Sequence, residues 1–173
     1  DIIAPSHGII WRGCVDKVVA NYQDWAANKT EDQAVIIYGT MWDSTEKMAR
    51  AIQEGFEANG IKTKLRNLDV NHISDVMTDI MTAEYICVGS PTLNNNILPV
   101  VASFLTYLKG LAPKDRKGIA FGSYGWSGQS VGQVAEILED CNFDLLDQFK
   151  VQYIPNEEKL NEITNQIQQL SQK

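Results

Sequence analysis

Thr40, Ser44 and Thr45 are the residues of this 173-residue chain whose types and spacing best suit chemistry. They lie in Gly39-Thr40-Met41-Trp42-Asp43-Ser44-Thr45, directly after the β-branched and aromatic run Val35-Ile36-Ile37-Tyr38 and directly before a helical pattern. Where a strand hands over to a helix, unpaired backbone N–H groups and the positive end of the helix dipole converge. Hydroxyls added at that point suit a phosphate monoester. The loop holds no Lys or Arg, so such a group would be held by neutral donors. The same residues also fit an ordinary helix start, with Ser44 as N-cap and Thr45 and Glu46 in the first turn. This loop alone does not separate the two readings. No G-x-x-x-x-G-K-[ST] occurs and no G-x-G-x-x-G follows this strand, which argues against a P-loop nucleotidase and a standard dinucleotide fold.

Two further loops have complementary chemistry. Pro91-Thr92-Leu93-Asn94-Asn95 follows Ser90 and offers backbone and amide groups to the edge of a heterocycle. Ser123-Tyr124-Gly125-Trp126 with Gly128 offers two aromatics in a glycine-rich frame, suited to stacking on a flat ring. Each also reads, in isolation, as a polar turn or a packed loop. If all three meet at one sheet edge, their common ligand is phosphorylated, flat and aromatic, and flavin mononucleotide (FMN) fits. The expected cofactor-binding set is then Thr40, Met41, Trp42, Asp43, Ser44 and Thr45, with Pro91, Thr92, Leu93, Asn94 and Asn95, and with Ser123, Tyr124, Gly125, Trp126 and Gly128. Trp126 is the first choice for the stacking ring and Trp42 the second. No residue is assigned a catalytic role. Gly125-Trp126-Ser127-Gly128-Gln129 is not G-x-S-x-G, and the histidines are His7 and His72 alone, so a serine triad has no support.

The elements that must position these loops alternate. Strands are expected at 34–38, 62–67, 84–89, 117–122 and around 149–153, and helices at 44–58, 73–82, 98–108, 129–140 and 157–171. A further helical pattern spans 15–27, and Asn28 to Gln33 is polar and aperiodic, the best linker candidate. Gly60 reads as the C′ glycine of one helix, and Pro99 suits the first turn of another. Such alternation implies an α/β fold, a doubly wound five-stranded parallel sheet with helices on both faces. Its usual order, 2-1-3-4-5, places a ligand at the carboxyl ends of strands 1 and 3, where the winding reverses.

Composition narrows the partners. Asp and Glu outnumber Lys and Arg by 22 to 15, a net charge of −7, and no basic cluster overrides the average. No nucleic acid and no anionic membrane surface is expected as a partner. No apolar run approaches a membrane span, and the first residues do not show the basic-then-apolar pattern expected of a signal peptide. Cys14, Cys87 and Cys141 are odd in number and widely spaced, as expected of free thiols in a reducing cytoplasm, with Cys87 in strand core. The opening, Asp1-Ile2-Ile3-Ala4-Pro5-Ser6-His7-Gly8, reads as a strand entering a turn with no element before it, as expected of a piece of a longer or processed protein.

The segment from Ile36 to Ala49 resembles the flavodoxin signature: apolar pair, aromatic, hydroxyl loop, Thr45, then Ala49. It departs at Asp43, where that family usually has a small residue, and a carboxylate there is tolerable only if it points to solvent. Ile3 to Arg12 resembles the end of the metallo-β-lactamase-like domain of flavodiiron proteins. Tyr38 to Thr45, Ser90-Pro91-Thr92 with its asparagines, and Phe121 to Gly128 resemble the flavodoxin-like domain that follows it. The resemblance implies residues 1–30 as a remnant of the diiron domain with its linker helix, and 31–173 as an FMN domain. It implies His7 as a ligand of a diiron centre in the intact protein only, since the other ligands are not in this chain. It implies electron transfer from rubredoxin or a similar donor through FMN to a diiron site that reduces dioxygen to water, nitric oxide to nitrous oxide, or both. A head-to-tail homodimer, or a dimer of dimers, is the assembly it implies. The alternatives are a free-standing flavodoxin carrier, a flavodoxin-fold NAD(P)H:quinone reductase and, more distantly, a non-flavin interaction module. An acidic surface near the ring would lower the flavin's potential by disfavouring the added negative charge.

Overall fold

Strands buried on both faces carry apolar residues at successive positions, and the computed structural model, which describes residues 1–172, places these runs side by side. A short antiparallel pair, β1 (Ile2–Ile3) and β2 (Trp11–Arg12), opens the chain, followed by α1 (Val15–Ala26). Then come β3 (Glu31–Tyr38), α2 (Ser44–Ala58), β4 (Lys62–Asn67), α3 (Ile73–Ile80) and β5 (Ala83–Gly89). A two-strand ribbon, β6 (Thr92–Leu93) and β7 (Asn96–Ile97), precedes α4 (Pro99–Leu111), β8 (Lys117–Tyr124), α5 (Ser130–Asp140), β9 (Asp144–Gln152) and α6 (Glu157–Leu170). Lys173, the last residue of the expected domain span, lies outside the described residues.

The main sheet has the order β4-β3-β5-β8-β9, all parallel, which is the doubly wound 2-1-3-4-5 arrangement expected. Alternate residues of its strands feed two cores. Val35, Ile37, Ile86, Val88 and Ala120 face α3, α4 and α5 through Val76, Phe104, Leu105 and Val134. Ala34, Ile36, Cys87, Ile119 and Phe121 face α2 and α6 through Met48, Ile52, Phe56 and Ile167. Cys87 is fully buried, and burial pushes its thiol pKa up, so it is packing rather than a reactive group. Pro99 is at the start of α4, and Gly60 has φ +75° just past the end of α2.

Several element ends differ from the sequence reading by a few residues, and two of the starts have a clear physical reason. Residues 31–33, read as linker, begin β3: the Glu31 N–H donates to the Thr82 carbonyl at 2.6 Å, and the buried Gln33 amide donates to the Asp79 carbonyl. The turn before them is tied down by Asn28, at φ +54°, whose amide donates to the Lys114 carbonyl and accepts from Arg116. β9 begins at Asp144 rather than near 149, because it is an edge strand pairing with β8 alone. With one side unpaired it tolerates Asp144, Asp147, Gln148 and Lys150, which hide its periodicity.

Candidate functional site

The carboxyl ends of β3, β5, β8 and β9 open on one cleft of about 360 Å³. Its walls are Thr40, Met41, Trp42, Ser44 and Thr45 after β3; Pro91 and Thr92 after β5; Ser123, Tyr124 and Gly125 at the end of β8; and Tyr153 and Ile154 after β9. Ten of the sixteen expected residues thus meet in one place. Asp43, Leu93, Asn94, Asn95, Trp126 and Gly128 do not line it.

The first loop is built to leave donors free. Asp43, not Ser44, caps α2, and it does so at φ +59°, a left-handed conformation that Asp tolerates better than most residues. Its side chain makes no capping hydrogen bond and is exposed, so the departure from the family's small residue leaves no carboxylate in the cleft. Ser44 is already helical, which corrects its reading as the cap. The ladder begins only where the Lys47 N–H donates to the Asp43 carbonyl, at 3.0 Å, so the N–H groups before it have no intrahelical acceptor. By contrast, His72 Nδ1 and Asn156 Oδ1 accept the first-turn N–H groups of α3 and α6. The hydroxyls of Thr40 and Thr45 are buried without a hydrogen-bond partner. An orphaned buried hydroxyl costs roughly 1–3 kcal/mol, so two in one loop call for an acceptor. A phosphate oxygen supplies one, and the donor set fits that group.

Beneath the loop, Tyr38 is buried and its phenol pKa is pushed up to about 12, first by burial and then by the neighbouring Glu46 carboxylate. It therefore stays neutral at any ordinary pH. Glu46 is paired with Arg50 at 2.6 Å on the exposed side of α2, so the guanidinium is turned to the carboxylate.

The second and third loops are locked together. The Ser130 hydroxyl donates to the Ser90 carbonyl at 2.9 Å and lies 2.9 Å from the Thr92 hydroxyl, while Ser90 Oγ accepts the Leu98 N–H. Gly122 makes this approach possible, since a Cβ there would run into the Ser90 carbonyl oxygen. Asn94 and Asn95, at φ +49° and +61°, form the tight turn between β6 and β7, a conformation asparagine adopts readily. Gln133 holds that turn, accepting from the Ile97 N–H and donating to the Asn95 carbonyl. Their side chains thus have a turn-forming explanation, and it is Pro91 and Thr92 that reach the cleft.

Aromatics complete the walls. Trp42 lines the cleft at 86% exposure; Trp126 is equally open at 83% but lies on the loop beyond it. Tyr153, missed in the sequence, sits at φ +62° with its N–H donating to the Tyr124 carbonyl at 2.7 Å. Ending β9 at Gln152 rather than 153 turns Tyr153 and Ile154 into the fourth wall. The usable signal was the Tyr-Ile pair directly past a strand neighbouring the third loop. His7 is exposed and does not line this cleft; it lies in a separate depression with Ile3, Trp11 and Tyr22 of the opening segment and α1. Among the described residues, no group of three or more His, Cys, Asp and Glu side chains is placed to hold a metal.

Comparison with known proteins agrees with this architecture. Residues 36–166 match the family model described as flavodoxin. A nitric oxide reductase of Moorella thermoacetica is 45% identical over 160 residues, covering 91% of this chain and 40% of that protein. The solved rubredoxin oxygen:oxidoreductase of Desulfovibrio gigas superposes with a TM-score of 0.91 at 40% identity, over 98% of this chain and 43% of that one. A flavodiiron protein from Giardia intestinalis gives the same TM-score at 29% identity, with the same two coverages. The chain spans about two fifths of the length of the curated relatives it matches. It belongs to the flavodoxin family, with residues 36–166 matching the family model, and it matches flavodiiron proteins along nearly its whole length.

Proposed function

We propose that this chain binds FMN in the cleft between Thr40 and Tyr153 and serves as the electron-transfer part of a flavodiiron oxidoreductase. The observation that carries the reading is the pair of orphaned hydroxyls, Thr40 and Thr45, at an uncapped helix start facing an aromatic-walled cleft. FMN is the cofactor a flavodoxin domain implies. Thr40, Ser44 and Thr45 would hold its phosphate, Pro91 and Thr92 would meet the ring edge, and Trp42, Tyr124 and Tyr153 would enclose the ring. When bound, the flavin supplies reversible uptake and release of electrons. The residues' part is to bind it, orient it and set its potential.

In this reading residues 1–30 close a metallo-β-lactamase-like diiron domain, and His7 is a diiron ligand in the intact protein only; residues 31–173 form the FMN domain. Electrons would come from rubredoxin or a similar donor and pass to a diiron site that reduces dioxygen to water, nitric oxide to nitrous oxide, or both. A head-to-tail homodimer or a dimer of dimers, in the cytoplasm, is the assembly proposed. No helix among the described residues is long and apolar enough to cross a membrane. A free-standing flavodoxin is less well supported: the family model begins at residue 36, whereas the two flavodiiron-type structures cover 98% of the chain, opening segment included.

The function is tested by loading the chain with FMN and mixing it anaerobically with reduced rubredoxin. The flavin should bleach; iron assayed before rubredoxin is added should stay far below one atom per chain; and when dioxygen or nitric oxide is then admitted with excess reductant, neither should be turned over catalytically to water or nitrous oxide. Stoichiometric iron with turnover would place the reactive centre within these residues and refute the division of labour.

The placement of the ring is open to a spectroscopic check. Stacking on an aromatic contributes on the order of 0.5–1.5 kcal/mol beyond area burial and quenches flavin emission. Trp42→Ala should recover part of the quenched fluorescence and weaken FMN binding several-fold, with Trp126→Ala smaller in effect. If neither change alters quenching, the ring does not lie against these loops.

A further inference from the structure

Lys150 stands out among the charged side chains near the cleft. It is on β9, opposite Gly122 in the β8–β9 ladder, and its ammonium sits over the Tyr124 ring, 5.2 Å from the centroid. Tyr124 is a wall of the cleft, while Lys150 lines a neighbouring depression with Gly128, Gln129, Gln148 and Glu136. The 124–128 loop is shaped around it. Gly128 has φ +66°, and a Cβ there would strike the Lys150 side chain and approach Tyr124 Cγ to 2.9 Å. No described carboxylate forms an ion pair with Lys150, Glu136 included, whereas the Arg50 charge is spent on Glu46. The chain carries −7 overall, and Asp43 is exposed beside the first loop. Lys150, though exposed, is therefore a positive charge without an ion-pair partner among the described residues, behind one wall of a cleft whose own lining is uncharged.

We propose that Lys150 is a positioning residue that sets the reduction potential of the bound cofactor, fixing Tyr124 against the cleft and favouring the anionic reduced form by its charge. The inference rests on the FMN reading above. Full reduction adds two electrons, from the donor, and one proton, from solvent, so the ring gains one net negative charge. A cation behind Tyr124 stabilises that product over the oxidised ring, through ring contact and the field. It also offsets the lowering of potential that the acidic surface imposes.

The experiment compares the unchanged chain with Lys150→Met, which keeps the aliphatic stem, and Lys150→Arg, which keeps the charge. Dissociation constants of oxidised FMN and the midpoint potential of the bound flavin are measured for all three. By linkage, the potential shift reports the change in affinity for reduced relative to oxidised FMN. The Met variant should bind oxidised FMN with near-unchanged affinity and lose on the order of tenfold in relative affinity for the reduced form, read as a more negative potential. The Arg variant should stay near the unchanged chain, and added salt should shrink the gap. An unchanged potential in Lys150→Met overturns the proposal, as does an equal shift in Lys150→Arg, which would leave only packing at work. Failure of the unchanged chain to bind FMN would instead overturn the functional reading, and this inference with it.

Discussion

Thr40→Val with Thr45→Val is expected to weaken FMN binding by at least about 100-fold while leaving the flavin-free chain as stable as before, or more so. The two halves of this expectation share one cause. Both hydroxyls are buried and neither has a protein partner, so each is a net cost to the empty fold. Valine keeps the branched shape and removes the unsatisfied donor, and no internal hydrogen bond is lost with it. Against a phosphate the balance reverses, because a hydrogen bond to a charged group contributes roughly 1.5–3 kcal/mol. Two such bonds, even if not additive, amount to two or more decades in affinity. Thermal unfolding of the apo-chain and titration with FMN measure the two quantities separately. Lost affinity accompanied by a large drop in stability would mean that the threonines hold the loop together rather than the ligand.

Phe121→Ala should destabilise the fold by about 3–5 kcal/mol, the usual cost of emptying a fully buried aromatic site. Phe121 is on β8 immediately before Gly122, its carbonyl accepts the Ser90 N–H at 3.0 Å, and its ring lies directly against Gly89. The substitution therefore opens a void under the junction of the β5 and β8 loops. Urea unfolding should show a lower midpoint at unchanged slope, with FMN affinity reduced because Pro91, Thr92 and Ser123 are no longer fixed relative to one another. A loss under 1 kcal/mol would mean that the neighbouring core collapses into the space, and that the loops owe little to this packing.

The sheet was legible because its central strands are covered on both faces. Val35 to Tyr38 and Tyr85 to Val88 have no polar interruption, and the helices between them carry the 3.6-residue stripe. At the margins the pattern fails for the same physical reason. Phe149 is the one buried residue of β9, so the strand's first five residues read as loop, and Tyr153 with Ile154 fell outside the expected site. The hydroxyl loop was visible in the sequence as a chemical type, but not its geometry. Nothing in Trp42-Asp43-Ser44 announces that the chain turns left-handed at Asp43 and moves the cap back by one residue. Asn94 and Asn95 carry the opposite lesson: amides that suit ligand recognition also suit a tight turn, and the backbone angles favour the turn. The exposed Trp126 and the lined-in Trp42 are equivalent in sequence, and only the strand ends tell them apart.

Titrating the flavin-free chain with FMN and, separately, with riboflavin isolates the phosphate, the one group by which the two ligands differ. If Thr40, Ser44, Thr45 and the open start of α2 form a phosphate site, FMN should bind about 100-fold or more tightly than riboflavin. That preference should vanish in the Thr40→Val, Thr45→Val chain. Equal affinities for FMN and riboflavin in the unchanged chain would contradict the phosphate site and, with it, the assignment of this cleft.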